Sequence, residues 1–348
     1  MPTTYAIPDG RTVMAATLYT GTGATQTINN SANGVSFQPD LVWVKGRSGA
    51  TDHAWYDAVR GVQNQLESNT TTAETTETTG LTAFGSTGFT VGALAQMNTN
   101  TATYVAWQWN AGGSTVTNTD GTISAQVRAN PTAGCSVVTY TGNGLTNQSV
   151  GHGLNATPGM VIIKQRDGTA SWLVHHQSQP TGYTLYLNLT NAQDSGTSQW
   201  GTSAQTSSLF YVGFVAGATG SNVSASTYVA YCFSAVAGYS AFGSYTGNGS
   251  ADGPFVFLGF RPRFVFIKMS SGVAFWRIHD TSRNPYNVAD LSLYPNANYA
   301  DTTAVSEYWD ILSNGFKLRT SDSEHNTNGA TYIYMAFAEN PFKNSLAR

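Results

Sequence analysis

Two pairs of residues that could bind a metal ion or exchange a proton occupy corresponding places in the sequence. His175 and His176 form the first pair, and His279 and Asp280 form the second; each pair closely follows a tryptophan. Neighbouring residues of a β-strand point to opposite faces of the sheet, so the members of a pair cannot converge on one ion. We therefore predict polar strand-end residues and no metal site at these places.

Carboxylates beside an aromatic residue would suit glycan cleavage, which needs two acidic groups across a cleft. Glu307 and Asp310 lie beside Trp309, but this acidic cluster occurs once and has the character of a solvated turn. The sequence contains neither a Gly-x-Ser-x-Gly elbow nor a Walker loop. We keep a glycan-degrading enzyme as an alternative and predict that the chain is not an enzyme and uses no cofactor.

The composition argues against nucleic-acid and membrane functions. Of the 348 residues 41% are hydrophobic and 10% are charged, and the formal net charge is −3. The 16 lysines and arginines are dispersed, whereas a nucleic-acid-binding surface normally carries a clustered basic stripe. No apolar run approaches the roughly 18 residues of a spanning helix, and no signal peptide is visible. We expect a soluble protein made in a cytoplasm, without nucleic-acid binding or membrane insertion.

One ordered set of motifs occurs three times along the chain. Each copy has a Tyr-Thr-Gly-x-Gly segment, an apolar strand that begins with proline and ends with lysine, a tryptophan, and a closing Thr-Tyr strand. No helix follows the glycines, so they predict a turn at a strand end rather than a phosphate loop. The proline-led strands lie at 39–45, 158–164 and 262–268. Repeats spaced by about a hundred residues indicate whole domains rather than a solenoid.

These repeats predict the fold class. Thr, Val and aromatic residues favour strands, while Gly and Asn favour the turns between them. We expect an all-β protein of three tandem antiparallel β-sandwich domains, jelly-roll or concanavalin-like, at 1–112, 134–236 and 237–348. The segment 113–133 is predicted to be a linker. The uninterrupted apolar strands should be covered on both faces.

Cys135 and Cys232 are predicted to be free thiols in apolar surroundings. Counting from the shared motifs, the other copies have Met14 and Ser240 in place of the first cysteine. A fold built from this unit therefore does not require a disulfide here.

Aromatic residues that differ between the copies are the candidates for recognition, because the shared ones are expected in the core. Loops on a rigid sandwich commonly carry binding sites. The candidate surface residues are Tyr183, Tyr186 and Trp200 in the second copy and Tyr286, Tyr294, Tyr299 and Trp309 in the third.

The segments 37–45, 53–61, 81–84, 104–107 and 118–124 resemble a largely uncharacterised family of tandem-repeat β-sandwich domains in tailed-phage virion structural proteins, associated with tails and fibres. The resemblance implies no catalytic residues. The second and third copies depart from the Trp-Tyr-Asp-x-Val-Arg-Gly segment at 55–61, so any role of that segment is expected in the first copy alone.

The resemblance implies a virion protein assembled in the host cytoplasm, most simply a tail-associated fibre or adhesin for host attachment. A head decoration protein or head fibre is the alternative. We expect other virion proteins as partners, a homo-oligomer with a trimer as the first choice, and a host-surface glycan or protein as the receptor. The first copy is expected to dock on the particle and the third to face outward.

Overall fold

The computed structural model describes residues 5–31, 34–195, 199–213, 220–303 and 308–339. Within these ranges the chain forms 27 β-strands, whose ladders are all antiparallel, and two α-helices of four residues each. The predicted all-β class is therefore confirmed. One 3-10 turn precedes the first strand, at Gly10–Thr12.

The first unit has a four-stranded main sheet, in the order β1-β9-β3-β4, and a smaller outer sheet, in the order β2-β8-β7. Side chains of the two sheets pack together in one apolar cluster. The elements are β1 (Met14–Thr20), β2 (Gln26–Asn29), β3 (Leu41–Gly46), β4 (Ala54–Asp57), β5 (Asn64–Gln65), β6 (Thr75–Thr76), β7 (Leu81–Gly85), β8 (Gly88–Val91), α1 (Ala95–Asn98) and β9 (Thr103–Trp109).

The second unit repeats this plan with a longer main sheet, ordered β10-β11-β12-β18-β14-β15-β16, and an outer sheet of β13 and β17. Its strands are β10 (Val116–Asn118), β11 (Ala125–Asn130), β12 (Cys135–Thr141), β13 (Gln148–Gly151), β14 (Pro158–Gln165), β15 (Leu173–His176), β16 (Leu185–Tyr186), β17 (Leu209–Val212) and β18 (Thr227–Ser234).

The third unit has the main sheet β19-β27-β21-β22 and the outer sheet β20-β26-β25. Its elements are β19 (Ser240–Thr246), β20 (Phe255–Phe257), β21 (Pro262–Met269), β22 (Arg277–Asp280), β23 (Leu291–Ser292), β24 (Thr302–Thr303), β25 (Trp309–Leu312), β26 (Gly315–Leu318), α2 (Ser323–Asn326) and β27 (Thr331–Ala338). The first ladder has the same register in each unit, as the pairs Thr20–Thr103, Thr141–Thr227 and Thr246–Thr331 show.

The expected linker at 113–133 is wrong. This segment contains β10 and β11, which extend the main sheet of the second unit. Ile123, Ala125 and Val127 alternate along it and are buried in the apolar cluster of that unit. Gly112 and Gly113 lie before β10, and Gly121 lies between the two strands.

The main sheets are apolar on both faces, as predicted, because each packs in two directions. In β3, Leu41 and Trp43 belong to a cluster at the centre of the molecule, while Val42 and Val44 belong to the cluster under the outer sheet. This alternation follows the two-residue period of a strand.

The central cluster draws residues from all three units, so the units are not separate domains. Trp109, Phe233 and Phe337 occupy the same register position in β9, β18 and β27. Their ring centroids are 5.9, 5.9 and 5.8 Å apart, with interplanar angles of 62° to 67°. Three nearly equal sides and angles place a pseudo-threefold axis through this triangle.

Corresponding hydrogen bonds link each unit to the next. Ala170 N–H donates to the carbonyl of Thr71, Ala274 N–H to that of Thr190, and Thr51 N–H to that of Asn298, each at 3.0 Å. The first bond joins units two and one, the second units three and two, and the third units one and three. The three units therefore close into a ring, in place of the predicted string of tandem domains.

Candidate recognition site

The Tyr-Thr-Gly-x-Gly segments are strand-end turns, as predicted. Tyr19 stacks on Tyr104 with ring centroids 5.0 Å apart, and the other units have the same pair at 5.0 and 4.9 Å. The side-chain oxygen of Asn98 accepts a hydrogen bond from the N–H of Thr22 at 2.8 Å. A Cβ on Gly21 would lie 2.2 Å from the carbonyl oxygen of the facing loop, so only glycine fits. The motif therefore has a structural role.

The histidine pair of the second unit lies on two faces of β15. His176 accepts a hydrogen bond at Nδ1 from Ser178 N–H at 3.1 Å, and its Nε2 lies 3.0 Å from the carbonyl of Tyr334 in the third unit. His175 packs against Trp200. Burial lowers the pKa of both histidines to about 4, so they are neutral at physiological pH.

A buried ion pair occupies the corresponding place in two units. Asp57 bonds Arg60 at 2.5 Å, and Asp280 bonds Arg283 at 2.6 Å. The expectation that this segment matters in the first copy alone is therefore wrong, because the third unit keeps the Asp-x-x-Arg spacing. Asp57 also accepts a hydrogen bond from the hydroxyl of Tyr231 in the second unit, so the pair supports the ring.

Two of the predicted recognition residues are core residues, and their prediction as surface groups is wrong. Trp200 is 1% exposed and Trp309 is 0% exposed. Trp309 stacks on His279 at 4.2 Å and on Phe316 at 4.9 Å between the main and outer sheets of the third unit. A sandwich needs large side chains between its layers, and these positions supply them without a match in every copy.

Two further candidates lie at the boundaries between units. The carbonyl of Tyr186 accepts a hydrogen bond from Trp276 Nε1 at 2.8 Å. The carbonyl of Tyr294 lies 2.9 Å from His53 Nε2 in the first unit. These contacts could not be predicted from the sequence, because the partners lie far apart along the chain. The two tyrosines thus help to close the ring.

The last three candidates differ in exposure. Tyr183 is partly buried in a turn, and Tyr299 is half exposed against Phe275. Tyr286 is 82% exposed, the largest exposure among the large apolar and aromatic residues that the structure describes. Of the seven predicted residues, Tyr286 alone belongs to the surface described next.

The third unit carries an exposed apolar surface on its outer sheet. Phe255 and Phe257 of β20 are 45% and 65% exposed, while Val256 between them is buried. Phe257, Gly315 and Leu312 form one row across β20, β26 and β25. We call Phe255, Phe257, Leu312 and Tyr286 the outer patch.

A hollow of about 580 Å³ adjoins this patch at the other edge of the outer sheet. Leu312 and Tyr286 both line it, so the hollow connects the exposed tyrosine to the phenylalanine row. The amide of Asn287 bonds both main-chain groups of Ile311 at 2.8 and 3.0 Å, which occupies this edge of β25. The patch thus extends from β20 across the sheet to the 285–288 loop.

The corresponding positions differ in the other units. In the first unit Thr27 and Asn29 replace the two phenylalanines, and both are exposed. In the second unit they are Ser149 and Gly151, which are buried. The sequence held a signal for the patch, since Phe-Val-Phe stands where the other copies have Thr-Ile-Asn and Ser-Val-Gly, but the short outer strands could not be aligned without the register.

The charges around the patch are largely paired with each other. Lys317 forms an ion pair with Asp252 at 2.8 Å, and its hydrogen bond and charge lower the pKa of that carboxyl. Arg261 pairs with Glu339 at 2.5 Å. Apolar side chains rather than unpaired charges therefore dominate this part of the surface.

Of the two acidic residues beside Trp309, the structure describes only Asp310. Asp310 lies 3.4 Å from Arg319, and Glu307 lies outside the described residues. Among the described residues no group of three or more His, Cys, Asp or Glu could hold a metal ion. The described part of the chain also has no helix long and apolar enough to cross a membrane.

A family model with the description "Domain of unknown function (DUF7483)" matches residues 9–341. The match spans all three units. No curated protein matches the chain. No solved structure matches it either.

Proposed function

We propose that this chain, which belongs to the DUF7483 family, is a non-enzymatic structural protein of a tailed-phage particle. It is associated with the tail and contributes to host attachment. The sequence resemblance to tandem domains of virion proteins supports the particle location. The closed ring supports a structural role, because many polar groups of the units bond to neighbouring units.

The outer patch is the observation that carries the proposal. The third unit exposes the large apolar side chains of Phe255, Phe257 and Tyr286. The residues that correspond to the two phenylalanines are polar in the first unit and buried in the second. Such a patch on a folded protein marks an interaction site, because burying it against a partner is favourable. A stable contact with a neighbouring virion protein would bury these groups permanently.

This assigns docking to the third unit rather than the first. The sequence favoured the first unit because of its Trp-Tyr-Asp segment, but that segment is buried and serves the ring: Trp55 and Tyr56 are 1% and 0% exposed. The exposed apolar side chains of the outer patch lie on the third unit.

Mass spectrometry of purified particles and immunogold electron microscopy test the proposal. We expect the chain in particles purified by density gradient, with gold at the tail. Gold at the head would support the alternative of a head decoration protein or head fibre. Absence of the chain from intact particles would overturn the proposal.

A further inference from the structure

We propose that the free edge of β20 receives an extended strand from a partner virion protein, which pairs with it through the main chain. This rests on the proposed function, since it names the kind of contact made at the outer patch. The evidence is the way in which the corresponding edge is covered inside the same molecule.

The second unit shows what covers this edge. There the chain passes along β13 in an extended conformation, and Ile123 forms a parallel bridge to Val150. Ile123 N–H donates to the carbonyl of Ser149 at 3.0 Å, and Ser149 N–H donates to the hydroxyl of Thr122 at 2.9 Å. The covering segment thus uses the outward main-chain groups of Ser149.

The third unit has the same edge without that cover. Val256 corresponds to Val150 and Phe255 to Ser149, because both strands pair with their neighbour in one register. Leu258 N–H donates a hydrogen bond to the carbonyl of Asn314 at 2.9 Å. The main-chain groups of Leu258, and of Val256 two residues before it, therefore point towards β26. By that alternation the main-chain groups of Phe255 and Phe257 point away from β26.

No strand or isolated bridge pairs with this side of β20 among the described residues. The corresponding edge of the first unit is β2, whose exposed Thr27 and Asn29 are polar. Polar side chains protect an edge from association, whereas exposed apolar ones favour it. The phenylalanines therefore single out β20 as the edge for strand addition, and they supply apolar contacts for the incoming side chains.

Hydrogen–deuterium exchange of the full chain, free in solution and assembled in particles, tests this directly. In the free chain the amides of Phe255 and Phe257 should exchange rapidly. In particles we expect at least about 100-fold protection, as for an amide in a stable ladder. Two internal controls are built in: Ser149 should be protected in both states, and Thr27 should be unprotected in both.

Two variants separate main-chain pairing from side-chain contact. F257P removes the outward N–H, and an edge strand tolerates proline when its N–H faces solvent. F257A keeps that N–H and removes the ring. Strand addition predicts that F257P lowers incorporation at least tenfold below F257A.

Equal incorporation of the two variants, or unprotected edge amides in particles that contain the chain, would overturn strand addition while leaving the proposed function intact. If the wild-type chain is missing from the particles, the proposed function fails instead.

Discussion

Lys164 in the second unit donates a hydrogen bond from Nζ to the carbonyl of Thr71 in the first, at 3.2 Å. Lys268 makes the same bond to Thr190 at 3.1 Å, and Lys45 to Asn298 at 3.3 Å. These lysines are the next-to-last residues of β3, β14 and β21 and are 0–1% exposed. Each boundary of the ring therefore contains one buried ammonium group. Burial lowers the pKa to about 8 for Lys45 and Lys164 and to about 7 for Lys268.

Raising the pH from 7 to 9 should stabilise the protein. The folded-state pKa of each lysine lies below its ordinary value, so the unfolded chain binds more protons over this range, and the free energy of unfolding rises with pH. One unit of pKa corresponds to about 1.4 kcal/mol, so the three lysines together give a rise of roughly 5 kcal/mol. Urea denaturation at the two pH values measures it.

The variant K164M should show a smaller rise than the wild-type chain, because one of the three titrating groups is gone. Near pH 10 and above the curve should turn downward, since burial raises the pKa of many tyrosines, among them Tyr19, Tyr140 and Tyr231, and the unfolded phenols lose their protons first. A stability that is flat or falls between pH 7 and pH 9 would contradict the buried ammonium groups.

The aromatic triangle at the axis predicts one cooperative unfolding transition. Phe233 contacts Trp109 and Phe337 from the other units. F233A should lower the free energy of unfolding by about 3–5 kcal/mol because it leaves a cavity. It should also lower the midpoint temperature of the single unfolding transition of the whole chain. L145A, at a residue 58% exposed in the second unit, is the control and should change stability by less than about 0.5 kcal/mol. Calorimetry that resolves separate transitions would argue against a shared core.

The sequence was sufficient for the class of fold but not for the arrangement of the units. The burial of residues 41–44 on both faces of the sheet could be predicted, because an apolar run without alternating polar residues indicates a strand that is covered on both sides. What covers the second face of each main sheet could not be predicted. A face that packs on another sheet of the same unit and a face that packs on the other units require the same apolar residues. Phe233 and Phe337 read equally well as the core of separate sandwiches.

The candidate site was only partly predictable for a related reason. Tyr286 was identified from its lack of a counterpart, whereas Trp200 and Trp309 share that lack and are buried. Absence of a match does not distinguish a core position from a surface one. Phe255 and Phe257 were missed because the short outer strands cannot be aligned between the copies until their register is known.

The Asp57–Arg60 ion pair of the first unit should stabilise the ring more than the neutral hydrogen bond that takes its place in the second unit. Arg60 is fully buried and bonds Asp57 at 2.5 Å and Glu74 at 2.8 Å. D57N should cost about 2–3 kcal/mol, because the buried guanidinium of Arg60 loses one of its two carboxylate partners. At the corresponding place in the second unit Gln179 bonds the N–H of His176, and Q179A should cost about 1 kcal/mol. Equal losses, measured by urea denaturation, would contradict a special role of the charge.

Cys135 and Cys232 are free and buried, and they face the central cluster and the cluster of the second unit respectively. Burial raises the pKa of both thiols. A thiol reagent should therefore label neither cysteine in the native chain within minutes and both after denaturation without a reductant. Failure to label the denatured chain would show a disulfide and contradict the structure.

The docking role of the outer patch is tested most directly by giving β20 the residues of β2. The double variant F255T/F257N carries the side chains of the first unit at the corresponding positions. It should fold with unchanged secondary structure, while L145T serves as a matched exposed control. Copies of the chain per particle, counted by quantitative mass spectrometry, should fall at least tenfold for the double variant and stay at the wild-type number for the control. Wild-type incorporation of F255T/F257N would contradict docking through the third unit.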